Sequence, residues 1–143
     1  MVYTCGESTS KLMLALDALL IDEEVDESLS SSIVTYAYHI FNLEKASEWS
    51  IDLFRKVMRS VEALESGPRM IMYLAEKVLC ALEGDEESGR AVAEILGIGE
   101  PQPSRELLYY TLLALVNKAI SRGGEEVAVA PTAPQLAVEA QAP

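Results

Sequence analysis

Along nearly the whole chain the apolar residues return at intervals of three and four, and alternation with a period of two is almost nowhere sustained, so the pattern predicts helices throughout. A first helix is expected from about Thr9 to Ile21, with Leu12, Leu16, Leu19 and Leu20 on one face. The acidic run 22–27 follows, and its last carboxylates suit the positive end of a second helix that extends to about Phe41. The inward stripe of that helix is expected to be Leu29, Ile33, Tyr36, Ala37, Ile40 and Phe41.

The clearest periodicity belongs to a third helix, expected from about Glu44 to Glu65. Ala46, Trp49, Ser50, Leu53, Phe54, Val57, Val61 and Leu64 trace one stripe along it, and this helix is expected to be the spine of the core. Ser66-Gly67-Pro68 ends it and opens a fourth, with Pro near the first helical position, where a missing N–H costs nothing. The fourth helix buries Ile71, Leu74, Ala75, Val78, Leu79 and Leu82 and stops at Gly84. Asp85 caps a short fifth helix with Val92, Ile95 and Leu96 inside, closed by Gly97-Ile98-Gly99. After the proline-rich loop 100–103, Ser104 caps a sixth helix with Leu108, Thr111, Leu112, Leu115 and Ile120 inward. Tyr109 and Tyr110 point to different sides of it, so one of them is expected at the surface.

The fold class expected from this pattern is all-α, a compact antiparallel bundle of five or six helices over residues 1–124. Residues 125–143 are small, rich in Ala and Pro and without periodicity, and are expected to form an extended or disordered tail. A shift of 42 positions sets Ala46, Leu53 and Phe54 opposite Ser88, Ile95 and Leu96, an echo too faint for a solenoid of repeats.

Composition agrees with a folded helical domain. Of 143 residues half are apolar and only 6% aromatic, and the length is enough for a sizeable core without staples. The formal net charge of −12 changes the picture of partners, because an excess of carboxylates repels a polyanion, so no binding of free nucleic acid by the chain alone is expected. The charge is uneven. Residues 1–44 hold one basic and eight acidic groups, whereas 45–69 hold five against four. No apolar run approaches the roughly 20 residues that span a bilayer, and the first residues lack the pattern of a signal peptide, so a cytoplasmic protein without membrane association is expected.

The inventory for catalysis is poor. His39 is the only histidine, and its neighbours at three and four positions are Thr35, Tyr36, Asn42 and Leu43, which supply neither an orienting carboxylate nor a second metal ligand. Gly97-Ile98-Gly99 follows a helix rather than a strand, and no Gly-Lys-Ser/Thr sequence occurs. Cys5 and Cys80 have no metal or redox spacing. Cys80 is expected to be a small buried hydrophobe, and a bridge between the two would matter in an oxidising compartment or a hyperthermophile. No catalytic residue, metal or cofactor is therefore expected.

Two features remain as candidate interaction sites. Arg55, Lys56 and Arg59 form the one local cationic patch, open to three uses: pairing with Asp52, Glu62 or a neighbouring helix, docking of an acidic protein segment, or contact with a phosphate backbone inside a larger assembly. In the tail, Pro131-Thr132-Ala133-Pro134 has the form of a short proline-based docking motif. The function expected is a non-catalytic adaptor or assembly subunit that meets a protein partner or copies of itself. The alternative is a small helical subunit of a multi-subunit, RNA-guided type of nucleic-acid-processing complex.

Overall fold

The computed structural model of the protein describes residues 5–21, 27–64, 67–99 and 102–120. These form α1 (Glu7–Ile21), α2 (Glu27–Ile40), a short 3-10 turn (Leu43–Lys45), α3 (Ile51–Ala63), α4 (Pro68–Leu82), α5 (Glu86–Leu96) and α6 (Arg105–Ile120), with no strand among the described residues. The chain is an all-helical bundle, as its periodicity predicts. The expected tail lies outside the described residues.

The punctuation residues act as their chemistry dictates. Pro68 stands in the first turn of α4 behind Gly67. Gly84 and Gly97 turn the ends of α4 and α5 with φ of 106° and 71°. In each case the chain closes with paired bonds back into the last turn, Asp85 N–H to the Cys80 carbonyl at 3.1 Å and Ile98 N–H to that of Ala93 at 2.9 Å. Asp85 holds the position before α5, but its carboxylate accepts the Ser88 hydroxyl rather than a backbone N–H.

The centre of the bundle is α6, not the third helix. All of its 16 residues except Arg105 and Lys118 are buried, against only Val57 and Val61 in α3. The physical reason is legible afterwards: a helix with one apolar stripe and one polar face belongs at the surface, while a helix apolar on all sides belongs in the middle. Tyr109 and Tyr110 are accordingly both buried, and the expectation that one is exposed is corrected. In α2 the stripe is Ser30, Ile33, Val34, Ala37 and then Phe41 just beyond its end, whereas Tyr36 is 37% exposed and does not face inward.

The start of the third helix also differs. Leu43–Lys45 is a separate turn after Asn42, which sits in the left-handed region at φ 53°, and residues 46–50 are non-helical. Tertiary partners take the amides that a continuous helix would use internally. The Glu48 N–H donates to the Glu106 carboxylate at 2.7 Å, and the Ser50 N–H donates to the Tyr110 hydroxyl at 2.7 Å. Ser50, in extended conformation, then caps α3 by accepting the Leu53 N–H.

Two ends of the bundle are fastened differently. Asn117 Nδ2 lies 3.8 Å from Met58 Sδ, and Lys118 Nζ donates to the carbonyls of Val61, Glu62 and Leu64 at 3.0–3.3 Å, so α3 and α6 run the same way and finish together. At the opposite fastening Cys5 is disulfide-bonded to Cys80, with Cα atoms 5.2 Å apart, joining the start of α1 to the last turn of α4. Cys80 is buried as expected, but it is not a free thiol. The chain must pass close to Glu83 here. Gly6 has a φ of 125°, and a Cβ on it would meet Glu83 Oε1 at 2.6 Å, while Thr9 Oγ1 donates to Glu83 Oε2 at 2.7 Å.

Candidate interaction surfaces

Because α3 buries only one side, its charged residues are turned to solvent together. Arg55, Lys56 and Arg59 are all exposed, and with Asp52 and Leu53 they line a shallow depression on the outer face of the helix. Among the described residues none of the three forms an ion pair. Lys56 also borders a groove of about 410 Å³ whose floor is Leu53, Val57, Leu96 and Leu107, with Ser60 and Glu48 at its sides.

A second surface was not nominated by the sequence pattern. Leu14, Asp17 and Ile21 form one outward line on α1, and Arg69, Met72, Tyr73 and Glu76 form another on α4. The two helices pack antiparallel, and a depression of about 810 Å³ lies between the lines. Its apolar rim is unusually open: Leu14 is 62% and Ile21 72% exposed, and Tyr73 is exposed as well. Lys77 places its Nζ 5.4 Å from the centroid of the Tyr73 ring. The signal for this face is present in α1, where Leu14 and Ile21 fall out of phase with the core set Leu12, Leu16, Leu19 and Leu20. A single-stripe reading passes over them.

The remaining polar groups knit the interior. Trp49 is half-buried, with its ring centroid 6.0 Å from each of Tyr109 and Tyr110, and Phe54 meets Tyr110 at 5.4 Å. Burial raises the Tyr110 phenol above its ordinary pKa; the Ser50 N–H opposes this and the Glu106 carboxylate adds to it. The Tyr38 phenol is likewise raised by burial, with Glu44 adding to the effect. His39 is exposed, and its ring meets the edge of Tyr38 at 5.6 Å. Glu106, which the sequence pattern did not single out, is 4% exposed and spends its carboxylate on the Glu48 amide. Every buried side-chain nitrogen and oxygen among the described residues has a hydrogen-bond partner.

Pro131, Thr132, Ala133 and Pro134 lie outside the described residues. No helix among the described residues is long and apolar enough to cross a membrane. Comparison with protein-family models, with curated proteins and with solved structures finds no match for the chain.

Proposed function

We propose that the protein is a non-catalytic helical adaptor or assembly subunit that works through protein–protein contacts. What supports this above all is the open apolar depression between α1 and α4, where Leu14 and Ile21 stand largely in solvent although the same helices bury their other leucines. Isolated exposed apolar residues are ordinary, but a contiguous group of them framed by charges is how a contact surface is built. Cross-linking of the full chain in an extract of its own cells tests this, since Lys11 and Lys77 stand on the same two helices. Cross-links from these lysines to protein are expected, and their loss in Leu14→Glu with Ile21→Glu. A chain that cross-links to no protein overturns the proposal.

The exposed cluster Arg55, Lys56 and Arg59 favours a second function, as a subunit whose α3 faces nucleic acid within a larger complex that supplies most of the positive charge. Arg55→Glu with Arg59→Glu should then abolish recruitment to nucleic acid while the helical circular dichroism is unchanged, and undiminished recruitment eliminates that role. The Cys5–Cys80 bond bears on the compartment through its redox chemistry. Placement in the cytoplasm, the expectation from sequence, requires a cytoplasm that tolerates the Cys5–Cys80 bond, such as that of a hyperthermophile, while an oxidising compartment imposes no such condition.

A further inference from the structure

Any second copy of this chain approaches against the mutual repulsion of two bodies with a formal charge of −12 each. A self-interface must therefore be locally neutral. Among the described residues of the α1/α4 face the signs balance: Asp17 and Glu76 are offset by Arg69, which lines the same depression, and by Lys77, which stands over Tyr73 at its side. Its order along α4 is also reciprocal. Arg69 and Glu76 are seven residues apart, about 10 Å or two turns, with Met72 and Tyr73 between them. A two-fold axis through that apolar centre sets two α4 helices antiparallel, Arg69 against the partner's Glu76 and Glu76 against the partner's Arg69. The same axis exchanges the two ends of α1, so Leu14 meets the partner's Ile21.

From this self-complementary pattern we infer that the α1/α4 face is the interface of a two-fold symmetric homodimer, which deepens and rests on the proposed role as an assembly subunit. The chain's own tail fits the face less well. Residues 121–143 bring only Glu125, Glu126 and Glu139 beyond Arg122, which would satisfy Arg69 and set acid against Asp17 and Glu76. A second copy sets Arg69 and Glu76 each against its opposite, with the two Asp17 carboxylates left facing each other near the axis.

Sedimentation or light scattering of the full, oxidised chain at about 100 µM, the concentration at which a micromolar dimer is nearly complete, is expected to give twice the monomer mass. Leu14→Glu should return the monomer mass with the helical circular dichroism preserved, a loss of affinity of roughly 100-fold. Arg69→Glu alone and Glu76→Arg alone should each weaken the dimer, and the two together in one chain should restore it, because the swapped charges again face their opposites across the axis. A wild-type monomer, a dimer indifferent to Leu14→Glu, or a double swap that fails to restore association overturns the inference. So does a monomer that dimerises on Leu136→Glu, which assigns the face to the tail. If the chain is monomeric yet cross-links to a different protein through Lys11 and Lys77, the dimer is wrong and the adaptor role survives; no cross-link at all ends both.

Discussion

α3 and α6 lie side by side and run in the same direction, yet one buries a single flank and the other is enclosed on nearly every side. The contrast sorts the polar residues of this chain into two occupations. Within α6 each must find its partner inside the protein: Glu106 takes the Glu48 amide, Thr111 donates to the Leu107 carbonyl at 2.8 Å, and the Tyr110 hydroxyl receives the Ser50 N–H. Along α3, Arg55, Lys56 and Arg59 have no such obligation and stand exposed to solvent. A central helix without a polar face thus leaves the solvent-facing charges to the peripheral helices.

The largest test of this contrast is a pair of substitutions. Leu113→Asp puts an uncompensated charge in the middle of α6, where the native side chain has no exposure, and is expected to cost more than about 4 kcal/mol and leave little folded protein. Arg59→Ser on the outer side of α3 is expected to change stability by no more than about 0.5 kcal/mol. Urea unfolding of both variants measures the difference, and comparable losses would mean that α3 is as central as its stripe suggests.

The next effect compares the two fastenings. The Cys5–Cys80 bond closes a loop spanning 75 positions, so replacing both residues by Ser is expected to lower stability by about 2–4 kcal/mol, chiefly by releasing the unfolded chain. At the other end, Lys118→Met removes three charge-assisted bonds to the carbonyls of Val61, Glu62 and Leu64 at the end of α3 and is expected to cost about 1–2 kcal/mol, discounted because the ammonium is only half-buried. Hydrogen exchange separates them. The cysteine change should loosen α1 against α4, and the lysine change should fray the last turn of α3 alone.

Much of the fold was legible in the sequence because local chemistry decided it. Pro68, Gly84 and Gly97 mark their helix ends through backbone preferences that no packing overrides. The layering was harder to read, since the regular stripe of α3 looks like a core signal and the unbroken apolar surface of α6 has no stripe at all. Trp49 and Ser50 fit the helical period, but their segment is non-helical, with Glu106 and Tyr110, some 60 positions away, taking the amides of Glu48 and Ser50. Nothing near Cys5 announces its bond to Cys80, which depends on α1 and α4 lying antiparallel. Of the candidate surfaces, the cationic cluster Arg55, Lys56 and Arg59 is legible in the sequence as charge alone, and the three residues are exposed on α3. The α1/α4 surface is not legible there, because its lines on α1 and α4 become one surface only when the helices are packed.

The smallest effect bears on the seam between α3 and α6 itself. The Tyr110 phenol, raised by burial with Glu106 adding and the Ser50 N–H opposing, holds its proton to higher pH in the folded chain than in the unfolded one. Above about pH 10, where an unfolded tyrosine ionises, the native state therefore binds more protons than the denatured state, and stability must fall as pH rises. Below that value the contribution is fully present. Tyr38 shifts in the same direction, so Tyr110→Phe should flatten the alkaline loss without abolishing it. Urea midpoints measured on either side of that pH give the slope for each protein. A Tyr110→Phe slope as steep as that of the wild type would show that the phenol of α6 titrates alike in the folded and the unfolded chain, and the seam would then be open to water.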